Sequence, residues 1–364
     1  MKRVLVTSSG GAPATGVVRS FNESPEPIFT VGVDSDPYTI SRSITDKSYL
    51  VPRVDDVDYL PVLRDIIDSE RIDFVHVQIS GEIAVASRNR DSLGARTFLP
   101  SHETIELLDD KLASFEAWRA AGLPVPETVL INSEDDLDEA FERCGPQVWF
   151  RAIRGSAGKG SLPTDKKHIA KAWIDFNEGW GSFTASECLT SKNIAWQSVW
   201  KNGELLAAQA REILSWEFGN RAPSGVSGSA GVGETVSDPV IDEIGLAAVT
   251  SIDSNASGAF SVDITYDVQG NPKITEINCG RFPTTGHFLT RAGLNLPYIY
   301  LKAGFDEEVE LPSQRLNPLE NGLLWVRGMD VEPVMTDRSQ VEAQQTELEE
   351  RRRRVRVNPK TSVA

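Results

Sequence analysis

Cysteine is scarce. Cys144, Cys188 and Cys279 are the only three in 364 residues, far apart and without paired spacing. That excludes a disulfide framework and a cysteine-based zinc site, and the three read as reduced structural residues. Long apolar runs are also missing. No stretch could span a bilayer, and Val4-Leu5-Val6 after Lys2 and Arg3 is too short for a signal peptide, so a cytoplasmic protein is expected. Positive charge is in deficit: 37 Lys and Arg stand against 53 Asp and Glu, a formal net charge of −16. Nucleic acid and anionic membrane are therefore not expected as partners. A small molecule held in a local basic pocket is. With four histidines and no Ser-His-Asp pattern, a dedicated nucleophile is not indicated.

What is present describes packed domains. Hydrophobic residues make up 40% of the chain, and Gly and Pro are spread through it, as in a folded protein long enough for two or three domains. A short β-rich run at 3–7, the Gly10-Gly11 turn, a strand at 28–33, a helix near 58–70 and a strand at 74–79 predict a Rossmann-like α/β unit with parallel strands over 1–100. Gly10, Gly11 and Gly16 do not fit G-x-G-x-x-G, so Asp34 reads as part of a polar strand-end turn rather than a dinucleotide contact. Leu112, Phe115 and Trp118 then share a helical face that ends at Gly122. Strands near 127–131, 147–153 and 182–189, with a helix at 134–143, predict a small α+β lobe over 101–190. Strands at 194–200 and 204–210, a Gly/Ser loop at 223–233 and a helix at 238–255 open a second lobe over 191–330. Residues 331–364 read as an extension whose Arg351–Arg354 run is a solvated helix and frayed tail.

The chemistry concentrates in a hairpin. Apolar and polar residues alternate through 260–266, so Asp263 shares a face with Ser261 and Thr265. After a turn around Gly270, the return strand 273–278 puts Glu276 and Asn278 on one face. If 268–271 form the loop, Asp263 stands opposite Glu276. Facing carboxylates repel unless a cation or a raised pKa offsets them. Three oxygen ligands on a rigid face suit Mg²⁺, with Mn²⁺ as an alternative, and Arg281 follows where negative charge would build on a transferring phosphoryl group. A second element, Arg151 to Ser161, joins a strand to a glycine-rich loop with Arg151, Arg154, Gly158 and Lys159. It is not a Walker A loop, but its cations in an acidic chain point to anion binding.

Over residues 1–310 the order of these elements resembles the ATP-grasp superfamily, nearest its carbamoyl-phosphate-synthase-like and carboxylate–amine ligase branches. The resemblance implies a Rossmann-like N-terminal (pre-ATP-grasp) domain followed by a two-lobed ATP-grasp fold, α/β and α+β in class. It implies that Lys111, Arg151 and Lys159 hold ATP phosphates and that Glu187-Cys188-Leu189 is the hinge meeting adenine. Asp263, Glu276 and Asn278 match the magnesium set, and Arg281 the arginine after it. Asn193 stands where many relatives carry a ribose-binding Glu, and Cys279-Gly280 lengthens the spacing to Arg281. The implied reaction makes an acyl phosphate from a small carboxylate, with Arg281 and Arg211 stabilising the transferred group, for attack by an amine. A homodimer is implied as well. The loop at 224–229 and Thr284-Thr285-Gly286-His287 are candidate substrate segments, with His287 as a candidate base. A small-molecule kinase and a non-catalytic nucleotide-binding module stay open as alternatives.

Overall fold

The computed structural model of the chain describes residues 1–155, 158, 160–328 and 335–357. Its N-terminal sheet contains β1 (Lys2–Thr7), β2 (Ile28–Asp34), β3 (Lys47–Leu50) and β4 (Phe74–His76), all parallel, in the order β3-β2-β1-β4. Helices α1 (Ala12–Asn22), α2 (Tyr59–Glu70) and α3 (Ser80–Arg88) accompany it. Parallel strands are covered on both faces and so read as continuous apolar runs, and Val4, Leu5, Val6 and Val31 are indeed fully buried. β3 has no such run and escapes the sequence pattern. Asp34, at the end of β2, accepts from the backbone N–H of Gly10 at 3.2 Å and of Asp36 at 3.1 Å. It fastens two loops of the domain.

Residues 101–125, expected to open the small lobe, instead join the large core. α4 (His102–Asp109) and α5 (Lys111–Ala120) bury Ile105, Leu108, Phe115 and Trp118 there, and the Trp118 indole donates to the Ala248 carbonyl at 3.0 Å. The small lobe proper runs through β5 (Thr128–Ile131), α6 (Asp135–Arg143), β6 (Val148–Ala152), β7 (Leu162–Thr164), α7 (Lys167–Phe176) and β8 (Phe183–Glu187). Its antiparallel sheet, ordered β5-β8-β6-β7, packs its own core around Ile131, Leu137, Phe150 and Ile174.

The large lobe is a six-stranded sheet ordered β13-β12-β9-β10-β11-β14. Its members are β9 (Asn193–Lys201), β10 (Glu204–Trp216), β11 (Ala230–Val236), β12 (Gly258–Tyr266), β13 (Pro272–Cys279) and β14 (Leu324–Val326), with α8 (Pro239–Thr250) between β11 and β12. One face buries Trp196, Phe260, Val262 and Ile274 beneath α8. The opposite face divides. Its lower part, Val199, Ala207 and Ala259, packs with α9 (Gly286–Arg291), α10 (Leu296–Gly304) and α1. Its upper part is polar and carries the site. β11, Ala-Gly-Val-Gly-Glu-Thr-Val, had read partly as loop because glycine weakens the strand pattern.

The C-terminal helix α11 (Arg338–Val357) corrects the reading of a solvated, frayed tail. Val341, Leu348 and Val355, seven residues apart, are buried, and Arg351 is 6% exposed. Arg351 pairs with Asp65 at 2.5 Å, Arg352 with Asp56 at 2.7 Å and Arg356 with Asp58 at 2.5 Å. The arginine run is therefore a counter-charge for the acidic rim of the N-terminal domain. Among the described residues no helix is long and apolar enough to cross a membrane.

Glu82 of α3 is buried where β1 ends, accepting from Thr7 at 2.5 Å, Ser8 at 3.1 Å and Tyr59 at 3.2 Å. Burial, with nearby Asp34 adding to it, pushes its carboxyl up to about 7 against three hydrogen bonds that pull it down. Between its ordinary value of 4.5 and about 7 the folded chain holds a proton that the unfolded chain has lost, so stability falls as pH rises through that window and levels off above it. Denaturant titrations from pH 4.5 to 8 should show this decline, and Glu82→Gln should make it shallower, the remainder belonging to the other buried acid with a raised value, Asp263. An unchanged slope in the variant would assign the decline to another group.

Candidate active site

The hairpin β12–β13 places Asp263 directly opposite Glu276. It gets there by two steps that sequence counting does not see. The turn spans 267–271, closed by Asp267 N–H donating to the Asn271 carbonyl at 2.9 Å, so Tyr266 rather than Asp267 pairs with Pro272. Thr275 then bulges, restoring the count by one before Glu276. The bulge exposes the Thr275 carbonyl, which accepts from Arg151 of β6 at 2.9 Å. A local irregularity in one lobe thus docks the other.

Two carboxylates this close cannot both ionise freely. Burial and the facing Glu276 push Asp263 up to about 8, with Arg211 and Arg281 opposing. Burial acts on Glu276 too, but Lys111, Arg151 and the Asn278 amide hold it below its ordinary value. The Asn278 NH₂ donates to Glu276 at 3.0 Å and to Asp263 at 3.3 Å, occupying the place between the acids that a cation would favour. Its oxygen accepts from Arg281, which the left-handed Gly280 (φ 73°) turns back toward the hairpin despite the longer spacing. No group of three or more His, Cys, Asp or Glu gathers among the described residues. Two carboxylates, joined by Asn278 once its amide turns its oxygen toward them, fit Mg²⁺, an ion that takes one or two carboxylates and completes its shell with water and phosphate.

Around this pair the candidate cations converge. Arg151 lies 3.8 Å from Glu276 and stacks on the Phe115 ring at 5.2 Å. Lys111 begins α5, capped by Asp110, and donates to the Gly155 carbonyl at 2.7 Å; burial holds it below its ordinary value against the pull of Glu276. Lys111, Gly155, Glu276, Asn278 and Arg281 line one cavity with Ser80 and Ile83 of the N-terminal domain. Gly158 (φ 67°) lies against the large lobe: a Cβ there would meet the Val226 carbonyl oxygen at 2.6 Å. Lys159 lies outside the described residues.

Other candidates are placed differently. Arg154 pairs with Asp109 at 2.8 Å and Asp110 at 3.6 Å, not with a hairpin acid. Glu187 turns its carboxylate to the Glu127 N–H at 3.2 Å and stands 3.8 Å from Lys273. Cys188 and Leu189 follow it in the connection between β8 and β9. Asn193 donates to Thr265 at 2.8 Å, leaving its buried oxygen without a partner. His287 pairs through Nε2 with Glu23 at 2.7 Å, and its buried Nδ1 has no partner.

Two residues had no sequence signal. Arg327, just past β14, bonds the Thr284 hydroxyl at 2.7 Å and lies 3.4 Å from the Ser229 hydroxyl, joining the two candidate substrate segments. Gln197 of β9 is 1% exposed, and both atoms of its carboxamide lack partners. Only the sheet register reveals either.

Residues 4–96 match the family model described as PylC-like, N-terminal domain. The biotin carboxylase domain of Hydrogenobacter thermophilus 2-oxoglutarate carboxylase, in complex with MgADP, ADP and bicarbonate, is similar over 89% of this chain and 73% of that one, with TM-score 0.68 and 18% identity. N5-carboxyaminoimidazole synthetase from Staphylococcus aureus, complexed with ADP, is similar over 85% and 79%, with TM-score 0.64 and 15% identity. L-amino acid ligase from Bacillus licheniformis is similar over 84% and 74%, with TM-score 0.62 and 14% identity. At these identities the likeness is one of fold.

If the Asp263–Glu276 opposition is the strain described here, Asp263→Asn should melt no lower than the parent without ligand, and up to about 1 kcal/mol more stable. It should also lose whatever rise in melting temperature Mg-ATP produces in the parent. Thermal melts with and without Mg-ATP measure both. A destabilised variant that keeps the full shift would refute the assignment.

Proposed function

We propose, on the premise that this chain carries the fold of the ATP-grasp superfamily, that it is an ATP-dependent ligase activating a small-molecule carboxylate as an acyl phosphate for attack by an amine. The observation that carries this reading is the facing pair Asp263 and Glu276, ringed by Lys111, Arg151 and Arg281 beneath a glycine loop from the other lobe. Opposed acids backed by three cations suit a phosphate-bound divalent ion better than they suit a structural ion pair.

ATP would lie between the lobes, its adenine at the Glu187-Cys188-Leu189 connection and its ribose near Asn193. Lys111, Arg151 and the loop bearing Gly158 and Lys159 would meet its phosphates. Asp263, Glu276 and Asn278 would hold Mg²⁺, or Mn²⁺ in its place, which supplies charge neutralisation on the β- and γ-phosphates when bound. An oxygen of the substrate carboxylate attacks the γ-phosphorus, and the β–γ bridging oxygen leaves with ADP. The amine then attacks the acyl carbon, phosphate leaves, and the amine proton passes to solvent. Arg281 stands where charge develops on the transferred group. Positioning and charge do the work without a protein nucleophile.

ADP release from Mg-ATP across a panel of acids and amines tests the reading. Turnover should require both co-substrates, and Glu276→Gln should lower it at least about 100-fold, roughly 3 kcal/mol of transition-state stabilisation. A stable phosphorylated product formed without amine would make the protein a kinase. ATP binding with no ADP release would make it a nucleotide-binding module. Full turnover by Glu276→Gln would remove the metal assignment.

A further inference from the structure

The polar half of the large sheet runs as two cross-strand rows. One is Glu276, Asp263, Ala195, Arg211 and Thr235, and the next is Asn278, Ser261, Gln197 and Gln209. Asp263 and Arg211 therefore stand two strands apart, roughly 10 Å between backbones, with only the Ala195 methyl between them. The row thus runs from the proposed metal ligands to a buried guanidinium.

That guanidinium is anomalous. Arg211 is 2% exposed, yet its Nε and Nη1 have no hydrogen-bond partner. A buried charge without partners is costly, and natural structures rarely keep one idle. A second arginine makes matters worse: Arg327 lies near enough to add to the burial that pushes Arg211 down to about 10, and Asp263 offsets this only in part. Arg327 is itself fixed by Thr284 at 2.7 Å and the Ala230 carbonyl at 2.5 Å. Beside them Gln197 offers an equally idle carboxamide, whereas its neighbour Gln209 is fully engaged with Ala210, Val236 and Leu319. Ala195, Ile213, Ala230 and Trp216 form an apolar wall alongside. Two neighbouring guanidiniums and an idle amide one row away, with one apolar side, match a planar anion on a short carbon chain.

We propose that Arg211, Arg327 and Gln197 form a subsite for a second carboxylate of the acid substrate, so that the protein selects dicarboxylates over monocarboxylates. This rests on the ligase reading and moves Arg211 from the transferred phosphoryl group to the substrate. Arg281 keeps the phosphoryl role. Arg211 is then a specificity residue whose missing partners are the oxygens of the carboxylate that is not activated.

The test compares succinate and glutarate with their monoamides, succinamate and glutaramate, in ADP release with Mg-ATP and hydroxylamine as the amine. In the parent, kcat/KM should favour the diacids by at least about 10-fold, because a site built to bind a group rejects the analogue lacking it. Arg211→Gln should bring the ratio within about threefold of unity, through KM, with kcat for the monoamides held within about threefold, and Arg211→Lys should restore part of the preference. An equal loss of kcat on diacids and monoamides in Arg211→Gln would return Arg211 to the phosphoryl group and overturn the proposal. So would a parent that turns over both classes alike. Thermal shift without nucleotide separates the two layers. Succinate or glutarate raising the melting temperature of the parent but not of Arg211→Gln, with no acid turned over, would sink the ligase reading and leave the subsite standing. No shift and no turnover would sink both.

Discussion

Two carboxylates held face to face across a β-ladder are unfavourable, and much of the surrounding structure offsets that one fact. Asp263 and Glu276 meet because the hairpin register leaves them no alternative, and each neighbour lowers the cost differently. Asn278 bridges them with its amide, Arg151 and Lys111 draw Glu276 toward its charged form, and Asp263 shifts toward the protonated one. A chain selected for stability alone would have replaced one acid by a neutral residue. That both are kept is what supports the proposed cation site.

The same interaction explains how the lobes are arranged. Arg151 reaches from the small lobe to a carbonyl that only the Thr275 bulge frees. Lys111, at the head of a helix belonging to the large core, bonds the first glycine of the small-lobe loop. Gly158 approaches the Val226 carbonyl too closely for any side chain. These three contacts draw the small lobe down over the hairpin. Arg151 and Lys111 are cations that phosphate would also seek, so under the proposed function nucleotide would exchange these contacts instead of building the cleft anew.

Much of this was legible in the sequence, for reasons that can be stated. The parallel N-terminal sheet showed as apolar runs, and the metal face showed as strict alternation, since a period of two fixes which side chains share a surface. The pairing of Asp263 with Glu276 came out of a count whose two local errors, a longer turn and a bulge, cancel. The ATP-grasp resemblance holds at the level of fold. What escaped depends on contacts between distant segments. β14 is three residues long, sits at the sheet edge and pairs with β11, so Arg327 beyond it carried no pattern. Gln197 is one polar residue in an otherwise buried strand, and its idle amide means something only once Gln209 and Ser261 are seen beside it. His287 looked available in isolation, but its Nε2 is paired with Glu23, just past α1.

Charge shows the same dependence on distance. A net charge of −16 says little about where the cations are. The structure divides several of them between two tasks. The arginines of α11 neutralise Asp56, Asp58 and Asp65 on the N-terminal rim, a structural use that the Arg351–Arg354 run disguised as a solvated face. Lys111, Arg151, Arg211 and Arg281 gather instead around one hairpin and its sheet. Of these, Arg151, Lys111 and Arg281 have protein partners, whereas Nε and Nη1 of Arg211 have none. Burying a guanidinium in that condition weakens the free protein unless a ligand completes its hydrogen bonds. Under the proposed function, the contrast between satisfied cations beside Asp263 and Glu276 and an unsatisfied Arg211 two strands away separates phosphate recognition from recognition of the acid.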